Sequence, residues 1–204
     1  MRFLPAGRQG LLVECADTDE VVGLHTALRH AVPAGVLDAV PAARTLLVTF
    51  DDGVTGRDRL ATQISGLSTV PGQAEREETV EIAVTYDGED LSDVARLTGL
   101  DEAEVVRRHL DGQYVVAFCG FAPGFAYLVG GDPALEVPRR STPRTRVPAG
   151  SVALAGEFTG VYPRQGPGGW QLIGRTEATL WDLEQEPPAL LAPGTRVRFT
   201  QASS

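Results

Sequence analysis

The sequence predicts an α+β protein in two parts: a small N-terminal ferredoxin-like α/β domain, then a domain of short strands forming a β-barrel or sandwich. Three observations carry this. Apolar residues recur at helical spacing only up to Leu110, the stretch Ser68 to Glu78 is polar with no apolar period, and beyond Gly112 short apolar runs are punctuated by glycine and proline. A chain of 204 residues has room for one full domain or two compact ones. The polar stretch holds Pro71, Gly72, Glu75, Glu77 and Glu78, and dividing the chain there gives domains 1–74 and 75–204.

The first element is a strand, Leu11 to Cys15, followed by Asp17-Thr18 as a helix cap. Val21, Val22, Leu24, Leu28 and Ala31 set a helical period that Pro33 and Gly35 end. Val36 to Val40 and Thr45 to Phe50 read as strands joined around Pro41, and Arg57 to Leu67 as a second amphipathic helix. This order, strand, helix, two strands, helix, is what an open antiparallel sheet with helices on one face requires. In the second part Thr79 to Tyr86 alternates as a strand. Two short helices follow, Leu91 to Thr98 and Glu102 to Leu110, the latter capped by Asp101 with Glu104 at capping-box spacing. Tyr114 to Phe118, Ser151 to Ala155, Trp170 to Gly174 and Arg196 to Thr200 are the remaining predicted strands.

Charge and composition narrow the chemistry. All 18 basic residues are arginine against 27 acids, a formal charge of -9, which opposes nonspecific binding to nucleic acid or to an anionic membrane. With no lysine, Schiff-base catalysis and a Walker-type phosphate lysine are excluded. Cys15 and Cys119 lie in apolar runs and read as buried thiols of a reducing compartment. No signal segment or membrane-length apolar run is apparent, so the cytoplasm is expected. Histidine occurs only as His25, His30 and His109, without metal-ligand spacing, so no metal site is expected. His109, late on its helix, reads as a partly charged residue favoured by the dipole.

One region departs from the overall charge. Gln113 to Thr176 holds six arginines (Arg139, Arg140, Arg144, Arg146, Arg164, Arg175) against Asp132, Glu136 and Glu157, a local +3. Guanidinium forks match carboxylate and phosphate bidentately, although the same arginines would equally serve surface ion pairs. Within this region Gly120-Phe121-Ala122-Pro123-Gly124-Phe125-Ala126-Tyr127, Pro143 to Val152, and Tyr162-Pro163 with Gly166-Pro167-Gly168-Gly169-Trp170 place glycine and proline beside aromatic rings. Loops of this kind have fixed geometry and suit a preorganised pocket; the alternative is that the rings plug the barrel interior.

These segments, in order with Pro138-Arg139, Ile173-Gly174-Arg175-Thr176 and the earlier Tyr86-Asp87-Gly88-x-Asp90-Leu91, resemble the family of 5-oxoprolinase B subunits, also called allophanate hydrolase subunit 1 and Kip-type kinase inhibitor. The resemblance implies a cyclophilin-like barrel as the second domain and likeness to half of the carboxyltransferase region of urea carboxylase. It implies one subunit of a complex that opens the 5-oxoproline lactam to glutamate with ATP, inactive alone. The expected partners are a larger carboxyltransferase-type subunit and a third oxoprolinase subunit. ATP is expected to be used by the assembled complex and not bound by this chain alone, with no biotin or metal site here. Transferred to this chain, the motif implies substrate or partner contacts at Phe121, Pro123, Phe125, Tyr127, Arg139, Arg144, Pro148, Tyr162, Trp170 and Arg175. Of these, Arg144 and Arg175 are expected to meet an anionic group of the substrate or partner, and no catalytic residue is assigned. Inhibition of a sensor histidine kinase and a place in a urea- or allophanate-processing enzyme are the alternative functions.

Overall fold

The computed structural model describes residues 1–67 and 79–202, and the chain separates into two compact units, Met1–Glu75 and Arg76–Ser204. The polar stretch from which the boundary was inferred, Ser68 to Glu78, lies outside the described residues.

The first unit comprises β1 (Arg2–Pro5), β2 (Gly10–Glu14), α1 (Thr18–His30), β3 (Val36–Pro41), β4 (Thr45–Phe50) and α2 (Arg57–Ser65). Asp17 caps α1 by accepting from the Glu20 amide at 2.8 Å, while the Glu20 carboxylate accepts from the Ala16 amide at 2.6 Å. Strand alternation places Leu11 and Val13 of β2 and Leu46, Val48 and Phe50 of β4 on one face. There they pack with Cys15 against Val21, Leu24 and Leu28 of α1 and Leu60 and Ile64 of α2. The antiparallel sheet has the order β1-β2-β4-β3. A ferredoxin-like unit would place its last strand after the second helix; here the edge beside β2 is taken by β1, which precedes both helices. Arg2–Pro5 gave no strand signal because it is short and ends in proline, which an edge strand tolerates.

The second unit contains β5 (Thr79–Val84), α3 (Leu91–Thr98), α4 (Glu102–Asp111), β6 (Tyr114–Cys119), β7 (Ala126–Val129), β8 (Arg144–Val147), β9 (Ser151–Ala155), β10 (Phe158–Val161), β11 (Gly166–Gly168), β12 (Gln171–Arg175) and β13 (Arg196–Gln201). Seven of these strands form one sheet in the order β12-β9-β10-β7-β6-β13-β5, and β8 and β11 form a separate ribbon. Just beyond β5, Thr85 exchanges both backbone hydrogen bonds with Arg175 at the end of β12, at 2.8 and 2.9 Å. The sheet therefore returns almost onto itself as a nearly closed barrel.

Gly88 and Gly174 make this closure sterically feasible. A Cβ at Gly88 would fall 2.3 Å from the Leu172 carbonyl oxygen, and one at Gly174 would fall 2.5 Å from that of Thr85. Asp101 caps α4 through the Glu104 amide at 2.7 Å, but the Glu104 carboxylate turns to Arg107 and Arg108 instead of completing the predicted capping box.

Two apolar layers follow from alternation along β9 and β12. Val152, Leu154 and Ile173 enter the principal core with Ile82, Val84, Leu128 and Phe199. Ala153, Ala155 and Leu172 face the other way into a second cluster with Phe125, Tyr162, Trp170 and Val147 of the ribbon. All five residues of β9 are accordingly buried.

Two expectations are corrected. Cys119 is exposed, since it ends β6 where the chain leaves the sheet, whereas Cys15 is buried as predicted. His109 is fully enclosed among Tyr86, Tyr114 and Phe199. Burial lowers its pKa to about 3, so it is neutral and carries no dipole-favoured charge. The helical period placed it near the end of α4 but could not show that this end packs onto β13.

Candidate functional site

The β6–β7 turn builds the first wall. Phe121 has φ 68, a left-handed conformation unusual for a residue with a Cβ, and the Ala122 amide donates to the Gly120 carbonyl at 2.8 Å. Gly124, at φ 80, comes so close to its neighbours that a Cβ would lie 2.8 Å from Cβ of Trp181. This tight turn leaves Phe121 61% exposed and sends Phe125 inward, where it is 1% exposed.

Phe125 is the centre of a ring cluster. Its centroid lies 5.3 Å from Phe121, 5.0 Å from Tyr127, 5.3 Å from Tyr162 and 5.5 Å from Trp170, each edge to face. The rings do not fill the barrel interior: Phe125, Tyr162 and Trp170 belong to the second apolar cluster, with Tyr127 packed against it. Gly168 leaves room for Tyr162, because a Cβ there would fall 2.3 Å from the tyrosine hydroxyl.

Phe121, Phe125, Tyr127, Arg139, Tyr162, Gly168, Gly169 and Trp170 line a pocket of about 120 Å³. The guanidinium of Arg139 stands over the Trp170 ring, 6.0 Å from its centroid. Among the described residues Arg139 has no carboxylate partner, and its exposed side chain lines the pocket. Burial raises the pKa of both Tyr127 and Tyr162, with the Arg139 charge opposing the shift in each case, so both hydroxyls stay protonated near neutral pH. The pocket offers apolar ring faces and edges, phenolic hydroxyls and one cation, a set suited to a small ring carrying an anionic group.

The other predicted residues lie elsewhere. Pro123 is an exposed turn residue, and Pro148 is exposed with its carbonyl accepting from the Ser151 hydroxyl at 2.9 Å. Arg144 is held bidentately by Asp90, at 2.8 Å through each nitrogen, and also reaches Glu89 at 3.0 Å. Arg175 pairs with Asp87 at 2.9 Å beside the barrel seam. Sequence reading grouped these arginines with Arg139 because residue type does not reveal which guanidinium already has an internal partner.

It gave no site role to Asp90, named only within the motif, whose side chain is 2% exposed. Standing just before α3, Asp90 has the sequence signature of a helix cap, yet its carboxylate makes no capping hydrogen bond. It accepts instead from Arg144, from Arg140 Nη1 at 2.5 Å and from the Leu172 amide at 2.7 Å. Burial alone would raise its pKa, but the hydrogen bonds from Arg144 and Leu172 and the two arginine charges outweigh it and hold the carboxyl below its ordinary range.

Among the described residues no cluster of three or more His, Cys, Asp or Glu could hold a metal ion, and no helix is long and apolar enough to cross a membrane.

The sequence pattern of the carboxyltransferase domain, subdomain C and D, matches residues 1–191. The chain belongs to this carboxyltransferase-domain family. Its relatives include the B subunit of 5-oxoprolinase from Bacillus subtilis (strain 168), 49% identical over 127 residues, covering 61% of this chain and 53% of that protein. The chain thus matches about half the length of that curated relative. In the solved structure of TTHA0988, 40% identical with a TM-score of 0.79, the likeness covers 96% of this chain and 40% of that one. Urea carboxylase of Kluyveromyces lactis is 19% identical with a TM-score of 0.71, covering 98% of this chain and 22% of that one, a likeness of fold.

Proposed function

We propose that this carboxyltransferase-family chain works as the B subunit of an ATP-dependent 5-oxoprolinase and that its ring-lined pocket receives 5-oxoproline. The observation that carries this reading is Arg139: a guanidinium with no carboxylate partner among the described residues, held over Trp170 at a pocket otherwise walled by rings. The lactam ring packs against Phe125, Tyr127 and Trp170, and Arg139 receives the carboxylate. Identity to the B subunit of a 5-oxoprolinase supports the reading independently.

Arg139 is the only cation lining the pocket among the described residues, which does not suit a triphosphate. ATP handling accordingly belongs to the assembled complex, with a larger carboxyltransferase-type subunit and a third subunit as partners. On this reading the barrel is of the cyclophilin-like type, the first unit is a ferredoxin-like sandwich with its edge strand moved to the front, and the two units are separate domains. A barrel of this type does not imply prolyl isomerase activity.

The test is co-expression with both partner subunits and an assay of ATP-dependent glutamate release from 5-oxoproline. Release is expected from the assembled complex, with Arg139→Ala raising KM for 5-oxoproline about ten- to a hundredfold, the effect of losing one charge-assisted hydrogen bond of about 1.5–3 kcal/mol. An assembled complex that releases no glutamate overturns the proposal.

A further inference from the structure

We propose that Asp90 is the positioning residue of the pocket, setting the Arg139 guanidinium over Trp170 by anchoring the two chain segments that carry them. No role of Asp90 follows from the pocket lining, since it does not reach the pocket itself. Its two carboxylate oxygens divide between the walls. Oδ1 accepts from Arg140 at 2.5 Å, the residue after Arg139, and Oδ2 accepts from the amide of Leu172 at 2.7 Å, two residues after Trp170.

The same two segments are laced together directly. The Arg140 amide donates to the Gly169 carbonyl at 2.8 Å, and Gln171 Nε2 donates to the Pro138 carbonyl at 3.1 Å. Arg139 and Trp170 therefore each sit between two tethered neighbours. Arg144 closes the arrangement by filling the remaining acceptor capacity of Asp90 through two bonds of 2.8 Å.

A carboxylate with 2% exposure can hold this many donors only as an anion, and the paired arginines are what make its burial tolerable. Arg140 Nε is buried without a partner, so its Nη1 contact with Asp90 is the side chain's main constraint. An exposed arginine without such a neighbour would sample many rotamers, and a ligand would have to order it on binding. Fixing the adjacent backbone removes part of that ordering cost.

The consequence for binding rests on the pocket reading above, whereas the placement of Arg139 does not, and the experiment separates them. Nuclear Overhauser effects between the Arg139 side chain and the Trp170 indole are measured in the ligand-free full chain. KM values for 5-oxoproline and for ATP are measured in the reconstituted complex. Asp90→Asn and Arg140→Met are each expected to abolish the Arg139–Trp170 Overhauser effects. Each should raise KM for 5-oxoproline about as much as Arg139→Ala does and leave KM for ATP unchanged, and adding Arg139→Ala to either should change it by less than about twofold.

Arg140→Met leaves the Asp90–Arg144 pair intact and decides the matter if Asp90→Asn fails to fold. Overhauser effects that persist in Arg140→Met, or an Arg139→Ala effect that multiplies fully with it, overturn the positioning role. If these effects vanish in the variants while Arg139→Ala leaves KM unchanged, the positioning role is supported and the pocket reading is overturned instead.

Discussion

Tyr86 and His109 meet in the barrel core, the tyrosine hydroxyl 2.7 Å from Nδ1 of the imidazole, while Nε2 is buried without a partner. The fold accepts the neutral ring and excludes the charged one. Because burial lowers the folded-state pKa from 6.5 to about 3, the unfolded chain binds a proton more readily than the native one. Stability is complete above pH 6.5 and is lost as the pH falls toward 3, by about 1.4 kcal/mol per unit through the middle of that window. Urea denaturation at pH 7 and pH 5 should show a loss of about 2 kcal/mol from this group, and His109→Phe should remove that part of the slope whatever its own stability. Asp90, whose pKa is held below its ordinary 3.8, adds a further loss only as the pH falls below about 4.

The left-handed backbone at Phe121 predicts an inverted ranking of two small substitutions. Phe121→Gly and Phe121→Ala both remove the ring at the pocket mouth, and both should raise KM for 5-oxoproline. Only glycine relieves the strain at φ 68, so Phe121→Gly should be the more stable of the two by about 1 kcal/mol, although glycine ordinarily destabilises relative to alanine. Thermal denaturation of the pair measures this directly. Alanine at least as stable as glycine would show that the turn does not impose this conformation.

Barrel closure depends on the absence of a side chain at Gly88. Its Cβ would meet backbone atoms of Leu172 and Ile173, which cannot swing aside as a flexible side chain can. Gly88→Ala should destabilise the protein by about 2–3 kcal/mol. Gly166, with open space around its Cβ position, is the control, and Gly166→Ala should stay within about 0.5 kcal/mol of wild type by denaturant titration.

Gly168 tests the pocket rather than the barrel. Its added methyl would strike the end of the Tyr162 side chain, which forms one pocket wall, so Gly168→Ala should displace that ring. The expected signature is a KM for 5-oxoproline raised several-fold with kcat largely retained. An unchanged KM would place Tyr162 outside the binding surface.

Most helices and core strands were legible in the sequence because one periodicity dominated each of them. Val21, Leu24 and Leu28 face one way at 3.6-residue spacing, and Leu46, Val48 and Phe50 alternate cleanly. Strands β7 and β10 and the β8–β11 ribbon were not predicted, since they are short and lie inside segments whose glycines and prolines read as loops. The pocket rings Phe125, Tyr127, Tyr162 and Trp170 were visible from their glycine-proline setting. Whether they faced the interior depended on which side of β9 carries Val152 and which carries Ala153, a question of register. The separate fates of Arg139 and Arg144 were hidden because Asp90, more than 50 positions away from Arg144 in the chain, decides them.

The strand order β6-β13-β5 places Arg196–Gln201 in the middle of the large sheet, antiparallel to β6 and parallel to β5. As the nascent chain leaves the ribosome, the second unit therefore cannot complete its hydrogen-bonded ladder until this late segment has emerged. Over that interval the edges of β5 and β6 are unpaired, and Ile82 and Val84, both fully buried in the finished structure, have little to cover them. Translation imposes a waiting period on this barrel, during which it is most in need of a chaperone and most prone to stray pairing with other chains.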